Sequence, residues 1–114
     1  MKEYFNFKDQ VAIITGCSTG LGVQMAKALA SQGANIVAVA RRQNLIDEVA
    51  KNIADEFGVK TLAVRCDITD TEAVDAMVDK VLETFGRVDI LVNNAGTGAV
   101  APAEDITRSE ERRV

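Results

Sequence analysis

The sequence predicts an α/β fold: a doubly wound parallel sheet of about four strands, in the order 3-2-1-4, with helices on both faces. Three observations carry this expectation. Short apolar runs rich in β-branched residues alternate along the 114 residues with longer segments of helical period. The strands V-A-I-I, I-V-A-V-A and I-L-V are apolar on consecutive rather than alternate residues, as strands covered on both faces must be. Right-handed crossovers between parallel strands then set the second and third strands on one side of the first and the fourth on the other.

Residues 1–10 read as an N-terminal extension, with Tyr4, Phe5 and Phe7 packing beside the sheet. The first strand covers Val11 to Thr15 and the first helix Leu21 to Gln32, ended near Gly33. Asn35 to Ala40 is the second strand. Ile46, Val49, Ala50, Ile53 and Phe57 make one stripe at i, i+3, i+4, i+7, a second helix from Ile46 to Phe57 stopped by Gly58. Thr61 to Arg65 is the third strand. Val74, Met77, Val78, Val81, Leu82 and Phe85 stripe a third helix from Thr71 to Phe85, and Thr69 with Glu72 has the spacing of a capping box at its start. Val88 to Val92 is the fourth strand. Residues 97–105 hold the only proline and read as a loop, and Thr107 with Glu110 reads as the start of a fourth, incomplete helix. The chain is thus one partial domain over 1–114. A fourth strand without a next neighbour exposes an apolar edge, so a homo-oligomer formed through that edge is expected.

Composition narrows the function. Net charge is −4, from 13 Lys and Arg against 17 Asp and Glu, and the basic residues are scattered except at Arg41-Arg42 and Arg112-Arg113, so no nucleic-acid partner is expected. There is no histidine, and Cys17 and Cys66 stand far apart in sequence, so no metal site and no histidine-based nucleophile are expected. No apolar run reaches signal-peptide or membrane-spanning length, which points to a cytoplasmic protein with no membrane partner. Both cysteines read as small reduced fillers about 10 Å apart, too far for a disulfide. Cys17, beside the phosphate site, is the one expected to meet alkylating reagents.

Between the first strand and first helix lies T-G-C-S-T-G-L-G, Thr15 to Gly22. Three closely spaced glycines let the chain turn tightly, let a pyrophosphate approach the main chain and let the helix sit close to the strand. A plain tight turn needs fewer. The helix start adds free N–H groups and a positive dipole end, so Gly16, Cys17, Ser18, Thr19, Gly20, Leu21 and Gly22 form a candidate phosphate-binding segment. It is not a P-loop, because no Gly-Lys-Ser/Thr follows. About twenty residues on, where an acid would bond a ribose 2′-hydroxyl, the chain has Ala40, Arg41 and Arg42. A guanidinium grips phosphate bidentately and keeps its charge, so the 2′-phosphate of NADP(H) is expected over the hydroxyl of NAD(H). The bland alternative, that both arginines merely solvate the second helix, sets positive charge against a positive helix end.

The glycine spacing resembles the short-chain dehydrogenase/reductase family, whose pattern is T-G-x-x-x-G-x-G. Gly33-Ala34, C-D-I-T at Cys66 to Thr69 and N-N-A-G at Asn93 to Gly96 follow in the family's order. The wording F-N-F-K-D-Q-V-A-I-I-T-G and V-A-V-A-R-R is most similar to the gluconate 5-dehydrogenase and 3-oxoacyl reductase branch. The resemblance implies a Rossmann-type fold and hydride transfer between a nicotinamide and a carbonyl or secondary alcohol. It implies that Asp67, with Ile68, meets the adenine and that Asn94, Ala95 and Gly96 run past the ribose. Asn93 reads as structural, tying strand ends together.

The family's proton-transfer tyrosine stands four residues before a lysine that lowers its pKa, on one helix, after the fifth strand. Tyr4 and Lys8 have that spacing, but they precede the first strand in a segment without helical pattern. Tyr4 is the only tyrosine. The catalytic serine, tyrosine and lysine are therefore expected to be absent, leaving the cofactor-binding half of an oxidoreductase, inactive by itself. The alternatives are a non-catalytic nucleotide-binding module and an inactive truncation product. Substrate identity is not legible.

Overall fold

The structure, a computed structural model, describes residues 7–18, 20–94 and, as backbone, 99–102. Its elements run β1 (Val11–Thr15), α1 (Gly20–Ser31), β2 (Asn35–Ala40), α2 (Gln43–Phe57), β3 (Thr61–Arg65), α3 (Thr71–Phe85), β4 (Ile90–Asn93) and β5 (Ala99–Pro102). One sheet has the order β3-β2-β1-β4-β5. The pairs β1–β2, β1–β4 and β2–β3 are parallel, so the expected 3-2-1-4 order and the Rossmann-type winding hold.

Consecutive apolar residues are explained by two cores. Ala12, Ile14, Ile36 and Ala38 face Ala26 and Ala30 of α1 and Ile46 and Ile53 of α2. Their neighbours Val11, Ile13, Val37 and Val39 face Met77, Val78 and Val81 of α3. Alternate side chains point to opposite faces of a strand, so a strand buried on both faces cannot alternate in polarity. Phe7 packs against the first core, as expected; Tyr4 and Phe5 lie outside the described residues.

The first helix runs Gly20–Ser31 rather than Leu21 to Gln32, since Gln32 already belongs to the turn with Gly33, and three further local expectations need correction. Asp70, not Thr69, caps α3: its carboxylate accepts from the Glu72 and Ala73 N–H groups. Thr69 is committed elsewhere, because its hydroxyl donates to Asp67. Second, α2 begins at Gln43 rather than Ile46, since the first turn needs no apolar side chain; Gly58, in the left-handed region at φ +71°, ends it as expected. Third, β4 begins at Ile90 rather than Val88, and part of the expected loop, Ala99–Pro102, is a strand antiparallel to it, with Ile90 opposite Pro102 and Asn93 opposite Ala99. Pro102 cannot donate to a ladder and is tolerated at such an edge. The bare fourth-strand edge does not exist, and the edge-paired homo-oligomer loses its basis. The expected fourth helix start at Thr107 lies outside the described residues.

Among the described residues no helix is long and apolar enough to cross a membrane.

Candidate functional site

The parallel strands end together at one rim of the sheet. The chain leaves β1 through Gly16, β2 through Arg41 and β3 through Cys66, and these exits border a cleft of about 790 Å³. That size suits a small-molecule or cofactor site. Of the residues nominated from the sequence, Gly16, Ser18, Arg41, Arg42, Asp67 and Ile68 line it. Val39, Ala40, Cys66 and Thr69 line it too without having been nominated as site residues.

At the β1 exit, Gly20 opens α1 with φ +59°, a conformation costly for any residue with a Cβ. Gly22 is needed for space: a Cβ there would collide with the Gly16 carbonyl oxygen and stand 2.9 Å from Asn94 Nδ2. The first turn of α1 carries no acidic side chain, so nothing on it competes with an anion for its N–H groups. Leu21 is largely exposed. Thr19 lies outside the described residues.

Cys17 departs from expectation. Its side chain is fully buried in the core behind the turn, its Sγ–H donates to the Gly22 carbonyl at 3.7 Å, and burial pushes its thiol up to about 12. A buried neutral thiol is a poor nucleophile, so the expected alkylation site is withdrawn and Cys17 offers the cleft no side chain. Burial, then the charges of Asp67 and Asp70, push the Cys66 thiol up as well. Both cysteines are free.

At the β2 exit, Arg41 and Arg42 are exposed on the cleft rim. Arg42 is the N-cap of α2 and makes no side-chain cap bond. A guanidinium has donors only and cannot accept from the helix N–H groups, so this position forgoes about 1 kcal/mol that Ser or Asp would supply. Departures from a local rule are expected at functional or strained positions.

At the β3 exit, the Asp67 carboxylate accepts from both the Thr69 N–H at 3.0 Å and the Thr69 hydroxyl at 2.7 Å, through Oδ1. These two bonds, then the charges of Arg41 and Arg65, hold the carboxyl below the ordinary aspartate range. The D-x-T spacing was the signal that could have nominated Thr69, since Asp readily bonds the backbone two residues on. At the β4 end, Thr15 Oγ1 sits 3.2 Å from Asn93 Oδ1 and 3.3 Å from the Val92 carbonyl, the strand tie expected of Asn93. Asn94 Nδ2 donates to the Gly16 carbonyl at 3.3 Å. Ala95 and Gly96 lie outside the described residues.

The cleft rim therefore carries two exposed guanidiniums and a carboxylate oriented by Thr69, beside the glycine turn that leads into α1. These are the complements of a pyrophosphate, a further phosphate and an amino-bearing base.

Known proteins share this fold. The family described as short chain dehydrogenase matches residues 10–114. The 2-dehydro-3-deoxy-D-gluconate 5-dehydrogenase of Pseudoalteromonas atlantica is 37% identical over 105 residues, which are 92% of this chain and 41% of that protein. The crystal structure of L-sorbose reductase from Gluconobacter frateurii, complexed with NADPH and L-sorbose, is 47% identical with a TM-score of 0.76, covering 81% of this chain and 35% of that one. An NAD+-bound xylitol dehydrogenase is 29% identical with a TM-score of 0.72, over 75% of this chain and 32% of that one. The chain spans roughly a third of the length of the proteins it matches.

Proposed function

Because this chain belongs to the short-chain dehydrogenase/reductase family, we propose that its cleft holds NADP(H) and that it serves as the cofactor-binding part of an oxidoreductase acting on a carbonyl or secondary alcohol. The observation that carries this reading is the pair Arg41 and Arg42, exposed at the β2 exit where an NAD-binding site would place an acid.

In this reading the first-turn N–H groups of α1 receive the pyrophosphate, and Gly22 keeps the main chain near enough for it. Arg41 and Arg42 take the 2′-phosphate. Asp67 accepts from the adenine amino group, held in orientation by Thr69, with Ile68 beside the ring. Asn94 braces the glycine turn from the β4 end. When bound, the nicotinamide would give a hydride to a carbonyl or take one from an alcohol carbon. The chain's own part is binding and orientation: its sole tyrosine, Tyr4, precedes the first strand, so the group that moves the substrate proton is not among these elements. The setting is cytoplasmic, where NADP(H) is available.

Titration calorimetry of the chain with NADPH and with NADH tests the reading. Saturable binding is expected, tighter for NADPH, with the difference lost in Arg41→Ala, Arg42→Ala. Equal affinities, a preference for NADH, or no binding by a chain that circular dichroism shows to be folded would overturn it.

A further inference from the structure

Arg65 is the last residue of β3 and stands opposite Ala40 in the β2–β3 register. The last main-chain bond of that ladder runs from the Cys66 N–H to the Ala40 carbonyl, at 2.9 Å. Beyond it the two main chains part, β2 turning into α2 and β3 into the Asp67 turn. There the Arg65 side chain takes over: its Nε–H donates to the Arg41 carbonyl at 3.1 Å. A side chain thus adds one rung to the ladder, and the carbonyl it holds belongs to the residue whose guanidinium stands on the cleft rim.

We propose that Arg65 is a positioning residue for cofactor choice: by tethering the Arg41 carbonyl it fixes the β2–α2 corner from which Arg41 and Arg42 meet the 2′-phosphate. This rests on the NADP(H) reading above. The corner needs an external hold, because Arg42 caps α2 without a side-chain bond of its own. A corner ordered before binding spares the phosphate complex the entropy of ordering it afterwards. Arg65 is exposed and makes no contact that the core requires. Its charge also reaches the cleft, since after the Thr69 hydrogen bonds both Arg41 and Arg65 help to hold Asp67 ionised. Tether and charge are separable by side-chain length.

Glutamine places its amide nitrogen where arginine has Nε, keeping a donor and losing the charge. Lysine has a methylene there, keeping the charge but carrying its donor one atom farther out, and methionine loses both. The full chain and its Arg65→Gln, Arg65→Lys and Arg65→Met variants are titrated with NADPH and NADH, which differ only in the 2′-phosphate, with thermal unfolding recorded for each. The ratio of the two affinities is expected to fall about two- to tenfold in Arg65→Met and Arg65→Lys, the reach of one hydrogen bond, and to be retained in Arg65→Gln. Affinity for NADH stays unchanged throughout, which a general loss of structure would not allow. An unchanged ratio in Arg65→Met, or a ratio kept by lysine and lost by glutamine, overturns the tether while leaving the NADP(H) reading standing. If the unaltered chain shows no preference for NADPH, both fall together.

Discussion

The Asn94 side-chain amide donates to the main-chain carbonyl of Gly16 at 3.3 Å, joining the end of β4 to the glycine turn after β1. Gly22, the first buried residue of α1, backs onto the same carbonyl. The glycine turn, the nearby start of α1 and the sequence-distant end of β4 therefore meet at one oxygen, and this junction sets how closely α1 approaches the sheet.

A methyl group at that junction has no room. Gly22→Ala is expected to lose about 1–3 kcal/mol of stability, the usual range for overpacking against backbone. Gly20→Ala meets nothing within 4 Å and suffers only from its positive φ, a cost of about 1 kcal/mol. Urea midpoints at constant m should rank the unaltered chain above Gly20→Ala and that above Gly22→Ala. The opposite order of the two variants would remove the steric reading of Gly22.

Arg41→Ala combined with Arg42→Ala is expected to weaken NADPH binding at least about tenfold, the loss of one or two hydrogen bonds between charged groups, and to change NADH by less than about twofold. Raising ionic strength should shrink the NADPH preference in the unaltered chain, because both arginines are exposed and therefore screened. A preference indifferent to salt would argue against these two residues.

Asp89 links the opposite rim of the sheet. Its Oδ2 accepts from the Val11 N–H at 2.8 Å, and Arg87 grips both of its carboxylate oxygens at 2.8 Å. Partial burial alone would raise its carboxyl, but the Arg87 and Val11 hydrogen bonds prevail and hold it below the ordinary range. A carboxyl depressed on folding contributes fully above its unfolded pKa and loses that contribution as pH falls through the folded one. Asp89→Ala should cost about 1–3 kcal/mol near neutral pH, chiefly by leaving the Val11 N–H unpaired, since the half-exposed Arg87 adds little. In urea titrations the gap from the unaltered chain should hold down to about pH 5 and narrow as pH falls on through the depressed folded pKa, where the neutral carboxyl keeps only weaker hydrogen bonds. A gap that widens in acid would contradict the sign.

Both thiols should be silent in the native chain. With Cys17 fully buried and pushed up to about 12, and Cys66 buried and also raised, Ellman's reagent at mildly alkaline pH should release almost no chromophore until denaturant is added, and then two equivalents. Rapid native labelling of Cys17 would show that the turn opens.

The strands and helices were legible because their signals are local and repeated. The bounds expected for β1, β2, β3 and α3 are the observed ones, each set by a run of apolar residues or a full stripe with a stop after it. The cleft was legible in part. Glycines and a paired arginine stand out in a sequence, but the Asp67–Thr69 turn shows only once its two bonds are seen, and nothing in the sequence marks Arg65 beyond its place at the end of β3. The cap of α3 was misassigned for a related reason: Thr69, Asp70 and Asp67 are all able to accept or donate there, and the winner depends on which bonds the neighbours have already made.

The sequence by itself determined the winding, through consecutive apolar strands that demand cover on both faces, and the chemical character of the β1 and β2 exits. Tertiary structure decided three things: that A-V-A-P pairs with β4, that Cys17 turns inward, and that Arg65 holds Arg41. Each depends on what the chain meets after folding. A β4 edge recruits whatever extended segment can satisfy its N–H and C=O groups, a small thiol goes wherever the core leaves a gap, and a long side chain bonds the carbonyl that the ladder leaves free.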